Sequence, residues 1–233
     1  MPDALPLQHI AAPRLGGLPA EGWFGNAPVR GGVAHGVRYR CDGHLLFGVI
    51  DIDEAAFVPR ADASALQQAG QRAYDKLFRV LADEGYPQLW RVWNYLADIN
   101  AETGGLERYR QFNIGRHQAF ETAGRLAGDT IPAASALGVA GAAAAGRLSI
   151  AFLAARTAGR PVENPRQVSA WRYPADYGPR SPTFSRAALA LPPGQEILFV
   201  SGTASILGHR TVHVGDAAAQ FGEGRLGRAE VCL

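Results

Sequence analysis

The segment at 62–84 constrains the fold most. Leu66, Gly70, Ala73, Leu77, Val80 and Leu81 recur at the i, i+4, i+7 spacing that lines them along one face of a helix. Asp62 or Ser64 can cap its start, and Gly85 can end it. A helix with a single apolar stripe must bury that stripe against another element. The next segment supplies the surface. Residues 89–99 carry Trp90, Val92, Trp93, Tyr95 and Ile99, the aromatic and β-branched types that suit a pleated strand.

The same alternation extends to both sides. Residues 44–52 form a compact apolar run with strand character. Gly104-Gly105 breaks the chain, and 106–123 then reads as a second helix. Segments 134–139 and 148–155 read as strands flanking a Gly/Ala linker at 141–146. The order across 44–156 is therefore strand, helix, strand, helix, strand, strand. That order predicts an α+β fold, with helices on one face of a mixed sheet. Residues 1–36, rich in Gly and Pro, read as an irregular N-terminal arm, and 37–158 as a complete first unit. A connection bearing Pro and Arg follows at 159–176. Segments 197–202 and 211–214 look like the opening strands of a second unit, so 159–233 reads as linker plus partial unit.

Composition narrows the function classes. With 47% hydrophobic and 19% charged residues, the chain can build a sizeable core and disorder is excluded as the default. The net charge is only +2 and no basic run stands out, so no nucleic-acid partner is expected. Of the basic residues only Lys76 is lysine; a GC-rich genome accounts for this bias, as for the alanine load, and only for particular arginines does the planar fork point to a carboxylate ligand. Cys41 and Cys232 are too few for a disulfide framework, which points to a reducing cytoplasm. The first residues show no basic region followed by an apolar stretch, so no signal peptide is expected. The uncharged run at 130–146 contains Pro132 and is too short and weakly apolar to span a bilayer, so no membrane partner is expected.

Three phrases carry candidate chemistry. In Arg108-Tyr109-Arg110-Gln111-Phe112-Asn113-Ile114-Gly115-Arg116, Tyr109 and Arg116 lie seven residues apart on one helix face, with Phe112 between them. A guanidinium can hold a carboxylate through two parallel hydrogen bonds, and a phenol can donate a third. In 177–186, two prolines and a glycine impose a loop, and Tyr177, Arg180, Ser181 and Arg186 are its anion-binding candidates. Ser201-Gly202-Thr203-Ala204-Ser205 follows an apolar strand, and its small residues would let a ligand approach the backbone. His209 and His213 are four apart, but on strand-like sequence, so no metal site is expected. Gly222, Gly224 and Gly227 have dinucleotide-fingerprint spacing but follow no strand.

Together with the continuation to Asp216, these phrases resemble the chorismatases, enzymes that release pyruvate from chorismate, over roughly 37–220. The resemblance implies the Rid (YjgF-like) fold, two such units per chain, a homotrimer, and an active site between units with no metal or organic cofactor. It implies that Tyr109, Arg116, Tyr177, Arg180 and Ser181 line a chorismate pocket and that Ser201, Gly202 and Thr203 frame its floor. The implied product is a hydroxybenzoate or a dihydroxycyclohexadiene carboxylate.

The family's proton donor is a glutamate on the last strand, a few residues after a phrase similar to Ala229-Glu230-Val231-Cys232, and this chain ends at Leu233. The resemblance therefore implies a shortened last unit without that glutamate, and the spacing of Glu223 and Glu230 supports neither as a substitute. The alternative reading is a non-catalytic Rid-like oligomer that binds small carboxylates. Imine hydrolysis by Rid-type deaminases is disfavoured, because Ala133-Ala134-Ser135 lacks the arginine expected at that strand start and 149–152 lacks the glutamate.

A partial second sheet leaves a strand edge at 199–214, and an unpaired edge seeks a partner strand. Sedimentation should therefore show an oligomer or concentration-dependent association. A folded, soluble monomer would contradict that expectation.

Overall fold

The structure, a computed structural model, describes residues 5–10, 21–24, 27–139 and 146–232. Its first part is a six-stranded sheet built from β1 (Arg30–Ala34), β2 (Val37–Cys41), β3 (Leu45–Asp53), β4 (Gln88–Ala97), β7 (Ala133–Val139) and β8 (Arg147–Ala155). A two-stranded hairpin, β5 (Glu102–Thr103) and β6 (Leu106–Glu107), leads into the second helix. The spatial order is β1-β2-β3-β8-β4-β7. Among the described strands of this sheet, only β4 and β7 pair in parallel.

Two helices make the crossovers: α1 (Ala65–Glu84) joins β3 to β4, and α2 (Arg108–Thr122) lies between β4 and β7. Both crossovers move in the same direction across the sheet, so connections of one hand place both helices on one face. Ser64 caps α1, its hydroxyl accepting from the Gln67 N–H, and Gly85 ends it in the left-handed region at φ 74°. The predicted stripe is fully buried: Leu66, Gly70, Ala73, Leu77, Val80 and Leu81 face the sheet and α2. They share one core with Leu46, Ile50, Val92, Leu96, Phe112 and Phe120.

The helices approach closely at one point. A Cβ on Gly115 would lie 2.0 Å from the Gln67 carbonyl oxygen, so only glycine lets α2 rest against α1 here.

The opposite face of the sheet is covered by the later part of the chain. Strands β9 (Arg160–Val162), β10 (Ala187–Ala190) and β11 (Ile197–Val200) form a three-stranded antiparallel sheet in the order β11-β10-β9. They build no separate core among the described residues. Ala188, Ala190 and Phe199 instead join Trp90, Ala133 and Leu153, with Trp23, Phe47 and Trp93 packed alongside. A short hairpin, β12 (Ile206–Leu207) and β13 (Arg210–Thr211), precedes α3 (Ala217–Cys232).

Three expectations need correction. The supposed irregular arm at 1–36 contains β1, and the sheet begins at Arg30 rather than at 37. The glycines there serve a strand, since a Cβ on Gly31 would lie 2.5 Å from the Arg40 Cδ. His35 and Gly36, both at positive φ, make the two-residue turn into β2. The helix read at 106–123 starts at Arg108, because Leu106 and Glu107 complete the preceding hairpin. The phrase at 229–232, expected near a final strand, lies within α3. That helix is started by Asp216, which accepts from the Ala219 N–H, and is held by buried Asn164, which donates to the Gly227 carbonyl at 2.8 Å. Of the linker read at 141–146, only Gly146 is among the described residues.

Replacing Gly115 with alanine should destabilise the fold by roughly 1–3 kcal/mol, the usual cost of overpacking. Urea denaturation measures this; an unchanged midpoint would mean that the two helices can separate freely.

Candidate active site

The helix contact at Gly115 sets the position of its neighbour. Arg116 is 2% exposed, and its guanidinium carbon lies 5.2 Å from the Tyr74 ring centroid and 5.5 Å from that of Phe120. Such stacking supports a buried cation by up to about 2 kcal/mol. It leaves the hydrogen-bonding edge unsatisfied, however. Nε and Nη2 of Arg116 are buried and have no hydrogen-bond partner among the described residues. Two turns earlier Arg108 has a structural task, donating to the Ala97 carbonyl at 2.9 Å and pairing with Glu54 at 2.6 Å. That anchor fixes the start of α2, with the Tyr109 N–H donating to the Ile99 carbonyl.

Tyr109 and Arg116 face a cavity of about 230 Å³ beside β7. Ala134, Ser135, Ala136 and Leu137 form one wall, and Phe184, Gly202, Thr203 and Ala204 form the other. The second wall is tied to the first through backbone groups. Gly202 N–H donates to the Ala134 carbonyl at 3.1 Å, and Ser185 N–H donates to the Pro132 carbonyl at 3.0 Å. Ser201 is a buried clamp: its hydroxyl accepts from the Ala134 N–H and donates to the Ser185 carbonyl. Gly202 keeps the cavity open, since a Cβ there would sit 3.6 Å from the Ser135 hydroxyl.

The cavity is electrically unusual. Burial pushes the Tyr109 phenol above its ordinary value, while a hydrogen bond with the Asn113 side chain and the charge of Arg116 act in the other direction. The phenol is therefore neutral and able to donate at physiological pH. A second arginine lies behind Ser135. Arg91 on β4 donates through Nη2 to the Ser135 hydroxyl and stacks over Trp93, with 5.2 Å from its guanidinium carbon to the ring centroid. Its Nη1 is buried without a partner among the described residues. Burial pulls its pKa down to about 10, with Arg116 adding to the fall and Tyr95 and Glu21 opposing it.

The candidates from the sequence therefore divide. Tyr109, Arg116, Gly202 and Thr203 come together at the cavity. Ser201 lies just behind its wall. Arg186 is also buried behind it, donating to the Val168 carbonyl and to the Tyr173 phenol while stacked over Phe184. Tyr177 stacks with Tyr173 at 4.9 Å and with His209 at 5.8 Å, apart from the cavity lining. Ser181 donates to the Trp171 carbonyl at 3.0 Å, and Arg180 is exposed on the loop. Glu223 pairs with Arg166 at 2.7 Å, and the Glu230 side chain lies outside the described residues. Sequence reasoning missed Arg91, Ser135 and Phe184. An arginine between Trp90 and Val92, in a strand rich in aromatic and aliphatic residues, was the available signal for the first.

Fold and site together define an α+β protein with a cavity at a sheet edge, into which one buried guanidinium, Arg116, opens. A family model described as "Chorismatase FkbO/Hyg5-like, N-terminal" matches residues 21–154. A chorismatase of Streptomyces hygroscopicus is 41% identical over 202 residues, covering 86% of this chain and 55% of that protein. A 3-hydroxybenzoate synthase of the same organism is 40% identical over 210 residues, covering 86% of this chain and 57% of that protein. A chorismatase crystal structure superposes with a TM-score of 0.77 at 38% identity, covering 88% of this chain and 58% of that one. The chain belongs to the chorismatase family and spans a little over half the length of these relatives.

The buried phenols make stability depend on alkaline pH. Burial raises Tyr74 to about 12 in the folded state, against roughly 10 for an unfolded tyrosine. A raised value means that the contribution is complete below the unfolded pKa and is lost as pH rises through the folded one. Urea midpoints should fall between about pH 10 and 12, and Tyr74→Phe should flatten the fall. An equally steep fall in that variant would place the effect elsewhere.

Proposed function

We propose that this chain binds chorismate and serves in its hydrolysis with release of pyruvate, giving a hydroxybenzoate or a dihydroxycyclohexadiene carboxylate. The observation that carries this reading is Arg116, a buried guanidinium with two donor atoms that have no partner among the described residues, at the cavity lined by Tyr109 and Thr203. A buried cation in this setting calls for an anionic ligand, and a carboxylate matches both its charge and its fork of donors. The names of the relatives, chorismatase and 3-hydroxybenzoate synthase, support the same substrate class.

The chemistry begins with protonation of the enolpyruvyl methylene, which gives an oxocarbenium ion. Either water adds and the hemiketal collapses to pyruvate and the dihydroxycyclohexadiene carboxylate, or the neighbouring ring hydroxyl adds and the ketal collapses with cleavage of that hydroxyl's ring C–O bond and loss of a ring proton, giving pyruvate and the hydroxybenzoate. Proton transfer and addition need neither a metal nor an organic cofactor. Arg116 holds a carboxylate, and the neutral Tyr109 phenol donates a further hydrogen bond. Thr203 and the Gly202 backbone line the opposite side. The described lining holds no carboxylic acid, so the part assigned to these residues is binding and orientation. Protonation is assigned to a carboxyl brought in by the assembled enzyme. A cytoplasmic homo-oligomer, a trimer by family resemblance, completes this reading. The free, buried Cys41 thiol fits a reducing compartment, and no described helix is long and apolar enough to cross a membrane.

The test is pyruvate release from chorismate by the purified protein, coupled to lactate dehydrogenase, with chorismate binding followed by calorimetry. Arg116→Met should weaken chorismate binding roughly a hundredfold, as expected when a buried charge loses its partner. Arg180→Ala, on the exposed loop, should have a smaller effect. Release that depends on Arg116 supports the hydrolase. Binding without release favours the non-catalytic carboxylate-binding protein, and absence of both overturns the proposal.

A further inference from the structure

Ser135 is held more firmly than a strand serine beside a cavity needs to be. Its carbonyl accepts from the Asn94 side chain at 2.8 Å. Asn94 in turn accepts from the Tyr74 phenol at 2.7 Å, and Tyr74 carries the stacked Arg116. From the other face of the sheet, Arg91 donates to the Ser135 hydroxyl. A hydroxyl has one proton and two lone pairs. With a guanidinium occupying a lone pair, the oxygen is oriented and its proton is directed elsewhere. No described residue accepts that proton, and the oxygen lies in the cavity wall facing Gly202, whose missing side chain leaves it accessible.

We infer that Arg91 is a positioning residue of this cavity: acting through Ser135, it turns that hydroxyl into a hydrogen-bond donor for a second anionic group of the ligand, apart from the one held by Arg116. The inference rests on the carboxylate-binding reading above and extends it to a dianion held at two points. The electrostatics agree. The charge of Arg116 reaches Arg91, and neither arginine forms an ion pair among the described residues. Two buried like charges repel, and a dianion between their outlets relieves both. Glu21 supports Arg91 from a distance, without an ion pair.

A double-mutant cycle tests this, with calorimetric dissociation constants for two probes, chorismate and isophthalate, the latter a dicarboxylate with no enol ether. Ser135→Ala should weaken binding of both roughly ten- to thirtyfold, the worth of one hydrogen bond to a charged group. Arg91→Met should weaken binding by a similar factor, Arg91→Lys should recover part of it, and Arg91→Met added to Ser135→Ala should cost little more. Melting temperatures accompany every variant. Should Arg91→Met fail to fold, Ser135→Ala and Arg91→Lys carry the cycle.

Losses that multiply independently, or an indifferent Ser135→Ala, overturn the inference and leave the chorismate reading intact. Non-additive loss with isophthalate while chorismate fails to bind keeps the inference and removes chorismate. A wild-type protein that binds neither probe overturns both.

Discussion

The site depends on one close approach. Because residue 115 has no side chain, α2 lies directly on the backbone of α1, with Gln67 beneath it. The next residue, Arg116, is thereby pressed onto the rings of Tyr74 and Phe120. A guanidinium tolerates this because it is weakly hydrated and can stack by its face while its edge stays free for hydrogen bonds. Packing fixes the face and leaves the edge for a ligand. The aromatic cluster around Tyr74 is thus both part of the core and the mounting of the cation.

The second requirement is an occupied sheet edge. Strand β7 has β4 on one side only. On its other side the chain returns through Ser185 and Ser201 to Gly202, whose backbone and hydroxyl bonds satisfy groups that an edge strand would otherwise expose. This contact stops after Gly202, and the cavity opens where pairing stops. The wall is therefore built by residues nearly seventy positions apart in sequence, held by the ladder geometry of the sheet.

Much of the fold was legible in the sequence because it rests on local periodicity. The stripe of α1, its Ser64 and Gly85 ends, and the strand content of β3, β4, β7 and β8 follow from side-chain spacing. The hairpin β1–β2 was not legible in the same way. Its glycines resemble loop composition, and their reason, close packing against Arg40 on the neighbouring strand, is a tertiary one. For the site, Tyr109 and Arg116 could be paired from their spacing on one helix, and Gly202 and Thr203 from small residues after a strand. The loop at 177–186 was harder to read. Its arginines look alike in sequence, yet Arg186 is buried behind Phe184 while Arg180 is exposed.

The sequence by itself determined most of the elements that form, which face of α1 is apolar, and that Tyr109 and Arg116 share one helix face. Family membership, too, is written in its phrases. Only the tertiary structure decided which polar groups have partners. Arg91 and Ser135 lie 44 residues apart, and nothing local in either segment shows that a guanidinium on β4 reaches the hydroxyl of the parallel strand beside it. Periodicity is a property of neighbours along the chain, whereas hydrogen-bond satisfaction in a buried site belongs to neighbours in space. The cavity is defined by the second, and for that reason it became visible only in the fold.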